Sequence, residues 1–333
     1  MMPAADRKPR IARRFLWFAI GIVVVIAGYT AAWHYAAGVL LEKVNAGIVD
    51  ANGGGRRANC ENAQVRGYPF RIGVFCHSVL YEDARAGLGF RARAFRSAAQ
   101  IYAPLHVVAE LDGPATVQAP AFRAIDVAWS TLRASVRLAS PLPERVSMEG
   151  RDLRFTFDEP GDAAPPLARA ETGEVHMRPA GTDLDLAIRF GRLGIERSML
   201  GGAYLPPLSG LVDLVLRDGV SVPPTGVLRG RSGTLRNATV SVDTDANTGT
   251  GVTLRGPVAV DEFGLLDAEL EVTLRNPRQL ARVLGDAMPQ MRQQIELGLS
   301  AFGSGGDEAT LPLRIVKGEV SLGFLSLGTV PPL

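Results

Sequence analysis

Cysteine occurs only twice in the 333 residues, at positions 60 and 76, and lysine only three times, at positions 8, 43 and 317. Two cysteines so far apart, with only His77 beside them, make no zinc ligand set. The shortage of lysine leaves arginine as the working cation, a bias of genomic base composition rather than a mark of an anion site. No sign of charge dominates either. The 36 basic and 34 acidic residues give a formal charge of +2 and are spread along the chain, so no broad basic face exists for nucleic acid. Histidine appears four times, at 34, 77, 106 and 176, and never at a metal-ligand spacing. There is no H-E-x-x-H, no H-x-x-x-H and no G-x-S-x-G. The glycine runs at 53–55 and 303–306 lack the lysine and the strand-to-helix context of a phosphate loop. Glu42, Asp50, Asp83, Glu269 and Glu271 are carboxylates of the kind any solvated face carries. The sequence therefore predicts no catalytic centre, no metal and no cofactor.

Long uncharged runs are absent except for one. Residues 15–33, "FLWFAIGIVVVIAGYTAAW", carry no charge and follow a tail containing Arg7, Lys8, Arg10, Arg13 and Arg14. Nineteen helical residues span roughly 28 Å, close to the hydrocarbon thickness of a bilayer. Trp17, Tyr29 and Trp33 lie near its ends, where aromatic rings favour the interfaces, and the basic tail is expected to stay in the cytoplasm. No A-x-A cleavage site follows, which favours a retained anchor over a cleaved signal peptide. The expected organisation is a basic tail at 1–14, a transmembrane anchor at 15–33, a stalk helix at 34–55 ending in "NGGG", and a β-rich domain at 56–333. On this topology the β-rich domain lies in the periplasm.

Beyond position 76 the hydrophobic period is mostly two. "DLDLAIRF" sets Leu184, Leu186, Ile188 and Phe190 against Asp183, Asp185 and Arg189. "GLVDLVLRDG" does so with Val212, Leu214 and Leu216, and "AELEVTLRN" with Leu270, Val272 and Leu274. Half-buried antiparallel strands have this pattern. With 47% hydrophobic residues, the chain can bury a large core. The fold class expected is mainly β (α+β): a long curved antiparallel sheet, partly covered by one long C-terminal helix over 276–302. Asn276 is its predicted N-cap, Pro277 its first residue and Pro289 its kink.

In an oxidising compartment Cys60 and Cys76 can form a disulfide, worth roughly 3 kcal/mol in the chain-entropy model. Between them, "AQVRG", "YPF" and "RIGVF" read as strand, turn and strand, a hairpin that the bond would pin. Gly67, Tyr68, Pro69, Phe70 and Arg71 form a structural corner: glycine and proline turn the chain, the two aromatic rings pack, and the arginine pairs with a carboxylate.

The helix end "AGYTAAWHYAAGVL" followed by "C…VRGYPFRIGVFC" resembles the alphaproteobacterial domain of unknown function family 2125 (DUF2125), whose members carry a cysteine-flanked G-[FY]-P-F-R core. The ending "LPLRIVKGEVSLGFLSLGTVPPL" is similar to that family and, more loosely, to AsmA-type envelope proteins. The resemblance implies a bacterial inner-membrane protein facing the periplasm, with no cofactor carried over. The AsmA-type likeness implies lipid handling or envelope upkeep.

The expected function is the binding of lipid, or of another amphipathic envelope component, in an apolar groove between sheet and helix. Leu270, Val272 and Leu274 on the sheet and Leu284, Met288, Met291 and Ile295 on the helix are its candidate lining. Two alternatives stand beside it. Helix and sheet can close a dry core on a scaffold that recruits envelope proteins. A hydrolase without a familiar motif would need serine, histidine and carboxylate groups to converge in the fold.

Overall fold

In a computed structural model, the protein is described for residues 10–120, 122–158, 166–221, 229–243, 249–293, 295–296, 306–322 and 325–332. Helix α1 (Arg10–Ala51) runs unbroken through the expected anchor and stalk. Its 42 residues make a rod of roughly 63 Å. No proline interrupts it, and Gly53, Gly54 and Gly55, all at positive φ, end it in a conformation that other residues adopt at a cost. Its first part, from Phe15 to Ile26, is exposed and apolar, and among the described residues this is the one helix long and apolar enough to cross a membrane. Its second part presents a stripe of Trp33, Ala37, Leu40, Leu41, Val44 and Ile48 to the β domain at helical spacing.

Ten short strands follow: β1 (Arg56–Cys60), β2 (Gln64–Arg66), β3 (Arg71–Cys76), β4 (Val79–Asp83), β5 (Leu88–Ala92), β6 (Phe95–Gln100), β7 (Ala103–Leu111), β8 (Ala115–Ala119), β9 (Phe122–Ala128) and β10 (Thr131–Arg137). They meet on the long strand β11 (Arg145–Phe157), whose first half pairs with β10 and whose last residues pair with β9. The sheet therefore forks at β11, beside Asp152, which sits at φ 53°. One branch runs β10–β7–β6–β3–β2 and the other β9–β8–β5–β4–β1. On the opposite edge of β11 a simple antiparallel meander begins with β12 (Pro166–Ala180), β13 (Asp183–Ile195), β14 (Leu208–Leu216) and β15 (Arg231–Val242). It continues through β16 (Gly251–Val260), β17 (Leu266–Arg275), β18 (Glu308–Val316), β19 (Glu319–Leu322) and β20 (Leu325–Thr329).

The predicted hairpin forms as β2 and β3, with Val65 opposite Val74. Cys60 and Cys76 are bonded, but the bond does not close that hairpin. Cys60 sits on β1 opposite Val79 of β4, and Cys76 on β3 opposite Phe95 of β6. It ties the outer part of one branch to the outer part of the other, turning the fork into a closed ring.

The long helix expected over 276–302 is instead α2 (Pro277–Ala287), eleven residues. A proline at 289 disfavours helical backbone at the residue before it, and Met288 accordingly turns out at φ −131°, ψ 71°. A 3₁₀ turn (Pro289–Met291) follows, and positions 297–305 lie outside the described residues. Pro277 is the first helical residue as predicted, whereas Asn276 enters in the left-handed conformation and its side chain makes no capping hydrogen bond. What α2 lacks in length it supplies in contact: Leu280 packs into a core with Val272 and Leu274, joined by Leu284 and Leu311.

Candidate functional site

The strand registers assemble rows of apolar side chains across the sheet. Ile72, Ala99, Val107, Val136, Val146, Met177, Leu186, Leu214 and Leu235 lie in register on adjacent strands from β3 to β15. A parallel row runs Met148, Val175, Ile188, Val212, Ala238, Leu254, Val272 and Leu311. Side chains in a strand alternate between faces, so the period of two in the sequence puts both rows on one surface.

Among the described residues, the two helices cover this surface only at its ends. At one end the α1 stripe stands over β3, β6 and β7, leaving a cavity of about 560 Å³ lined almost wholly by apolar side chains, among them Trp33, Leu40, Ile72, Val74, Val107 and Leu138. At the other end the sheet face is buried, in part under α2. Leu270 is buried there with Ala268 and Ile315, and Val272 and Leu274 lie under Leu280 and Leu284. Met288, the residue that ends α2, is half-buried, as is Ile295 beyond the 3₁₀ turn, while the Met291 side chain is not described. Between the covered ends Met148, Val240 and Ile188 are exposed, Ile188 at 48%. Water thus meets apolar side chains along the middle of this face.

The 67–71 corner binds α1. Tyr29 Oη donates to the Pro69 carbonyl, Thr30 Oγ1 and Tyr68 Oη are 2.8 Å apart, and Trp33 Nε1 donates to the Arg71 carbonyl at 3.0 Å. Tyr68 meets Trp33 edge-on at 5.5 Å and stacks on His34 at 6.2 Å between ring centroids. Gly67 has φ 121°, and a Cβ there would lie 2.8 Å from the Arg71 carbonyl oxygen, so this turn requires glycine. Phe70, expected to pack, stands outward at 73% exposure.

The opposite face of the sheet is charged. Arg96, Glu110, Arg133, Glu149, Glu174 and Arg189 follow one another across six adjacent strands, so that most neighbours differ in sign. Arg133 Nε reaches Glu110 at 2.8 Å, and Arg96 reaches Asp112 at 2.5 Å. Further along, Asp185 lies between Arg178 at 2.9 Å and Arg236 at 2.6 Å. Burial pushes its carboxyl up, but hydrogen bonds and charge from the two guanidinium groups outweigh that, and the net position is below the usual carboxylate range. Asp185 is covered chiefly by these two half-exposed arginines rather than by a core, so solvent screens the pair. Replacing Asp185 with Asn is expected to cost about 1 kcal/mol at pH 7. Because the folded pKa is depressed, the stabilisation is present above the unfolded value near 4 and is lost as pH falls through the folded one. Denaturant midpoints of Asp185→Asn and the parent protein should therefore differ at pH 7 and converge in acid; a difference that persists unchanged in strong acid sinks this assignment.

On the same face Ser147 Oγ lies 3.0 Å from His176 Nδ1, and His176 Nε2 lies 3.4 Å from Glu174. The three groups a hydrolase needs do converge, beside a hollow of about 750 Å³ rimmed by Arg71, Arg96 and Arg133. The arrangement lacks the rest of an acyl-transfer site. β11 has a partner strand on each side, so the amides flanking Ser147 are committed to the ladder and supply no oxyanion hole. Among the described residues no group of three or more His, Cys, Asp or Glu is placed to hold a metal ion.

The profile of a family described as "Uncharacterized protein conserved in bacteria (DUF2125)" matches residues 33–331. The chain belongs to the DUF2125 family. In this DUF2125 member the matched range begins at Trp33, the residue whose indole ties α1 to the corner. It therefore takes in the disulfide, the fork and the whole meander. The exposed apolar part of α1 precedes it. No curated protein matches the chain.

Proposed function

We propose that this DUF2125 protein is a single-pass protein of the bacterial inner membrane, with its β domain in the periplasm, that holds lipid or another amphipathic envelope component along the sheet. The observation that carries this reading is the uncovered stretch of apolar surface between α1 and α2, with Met148, Ile188 and Val240 open to solvent. Acyl chains are the ligands that such a surface takes best, because burying its side chains against hydrocarbon releases the water now in contact with them. The α2 end, with Leu270, Val272, Leu274 and Leu284, forms the closed end of the groove. The arginine-rich tail before α1 supports this topology, and a disulfide, which persists where conditions are oxidising, supports this compartment. The looser likeness of the C-terminal sequence to AsmA-type envelope proteins points the same way, towards envelope maintenance.

The test is lipid extraction and mass spectrometry on the full chain after exhaustive detergent exchange. Stoichiometric phospholipid is expected, and Ile188→Asp or Met148→Asp should lower the retained amount about tenfold, a cost near 1.4 kcal/mol. Because both side chains are exposed, neither change should alter thermal stability much. Retention equal in parent and both variants sinks the groove, and a lipid-free parent turns attention to a scaffold that recruits envelope proteins.

A further inference from the structure

The corner clasp fixes the depth at which the β domain sits. From Phe15, where the uncharged run starts, to Tyr29 is fourteen residues, or roughly 21 Å of helix, and to Trp33 roughly 27 Å. The hydrocarbon layer is about 30 Å thick. With Phe15 at one boundary, the Arg71 carbonyl held by Trp33 lies at the other boundary and the Pro69 carbonyl held by Tyr29 roughly 9 Å inside it, neither beyond it. A second turn is carried to the same level, because Ile101 N donates to the Phe70 carbonyl at 3.1 Å.

The side chains on these turns suit that position. Phe70 is 73% exposed, Tyr102 82% and Leu105 62%, three large apolar or amphipathic groups projecting from two neighbouring turns and the adjoining start of β7 at one sheet end. Aromatic rings of this kind partition to the membrane interface. The cavity between α1 and the sheet is at this end as well, because its lining includes Tyr29, Ile101, Pro104 and Leu138 beside Trp33 and Val107. At about 560 Å³ it is within the usual range for small-molecule sites. Its inner wall carries Ile72, Ala99 and Val107, the first members of the apolar row that crosses the sheet.

From this continuity we propose that the sheet end bearing Phe70, Tyr102 and Leu105 is seated in the bilayer interface, so that the cleft between α1 and strands β3, β6 and β7 opens onto the hydrocarbon and admits a lipid acyl chain from the adjoining leaflet. The proposal rests on the lipid-holding reading above and gives it an entrance. The helix that anchors the protein is then also one wall of the portal.

The test places the photoreactive residue p-benzoylphenylalanine singly in the full chain at Val107 or Pro104 in the cleft, Tyr102 at the tip, Ile188 on the open floor, and Ser135 on the charged face. Each protein is reconstituted in vesicles of phosphatidylethanolamine and phosphatidylglycerol, irradiated, and its lipid adducts are weighed intact. Adducts are expected at Tyr102, Val107 and Pro104, with only background at Ser135. Ala36→Trp, which fills the cleft, should abolish the Val107 adduct and leave that at Tyr102. Background yield at both Val107 and Pro104, or a Val107 adduct indifferent to Ala36→Trp, overturns the portal. Ile188 reports on the wider reading separately. Adducts there without any in the cleft remove the entrance alone, whereas cleft adducts without any at Ile188 leave the entrance standing and remove the long groove.

Discussion

Reducing the Cys60–Cys76 bond is expected to lower the stability of the β domain by roughly 3 kcal/mol, the chain-entropy value for a loop of this length. The two residues are 16 apart in sequence, with Cα atoms 5.3 Å apart. The effect should not be confined to the loop. The bond joins β1 to β3, so cutting it reopens the ring made by the two branches of the fork, and β1 keeps only β4 as a paired strand. It also loosens the hairpin that holds α1. Thermal unfolding of the full chain, with and without dithiothreitol, should differ by roughly 6–12 °C at 2–4 °C per kcal/mol. The Cys60→Ser, Cys76→Ser double variant should match the reduced protein and be insensitive to reductant. Identical melting of oxidised and reduced chains would show that hydrogen bonding alone holds the branches together.

Leu274→Ala is expected to cost about 3 kcal/mol, within the range for truncating a buried leucine. Leu274 lies beneath Leu280 of α2 and is 6% exposed, so its removal leaves a cavity that the sheet, held by β16 and β18 on either side, can collapse only in part. Ile188→Ala is the matched control. It sits on the same face four strands nearer the middle, on β13, is half in water already, and should cost under about 1 kcal/mol because little buried area is lost. Denaturant midpoints of the two variants measure the coverage of the face directly. Equal costs at the two positions would mean that the face is uniformly covered, and the open floor between the helices would not exist.

Much of the architecture was legible because it depends on local pattern. An uncharged run of nineteen residues after an arginine-rich tail reads as one long apolar helix, and α1 is long and apolar enough to cross a membrane. The alternation in Leu184–Phe190 and Leu270–Leu274 put those side chains on a common face, as the registers of β13 and β17 bear out. The C-terminal helix was overestimated for an identifiable reason. Its apolar spacing continues past Pro289, but a proline acts on the residue before it as well as on itself, so α2 ends at Ala287 and a 3₁₀ turn separates it from the helical residues at 292–293 and 295–296.

By itself the sequence determined the long apolar N-terminal helix, the period of the strands, the cysteine pair and the glycine–proline corner, because each depends on residues close together in the chain. Tertiary structure alone decided the rest. Ser147 meets His176 and Glu174 only through the register of β11 on β12, which no spacing reveals. The disulfide bridges two branches rather than one hairpin because strand pairing carried β1 to β4. Above all, coverage of the apolar face was undetermined. Most strands from β3 to β18 present the same alternation, and among the described residues only the landing places of two helices leave its middle open, a balance of long-range packing that local periodicity does not contain.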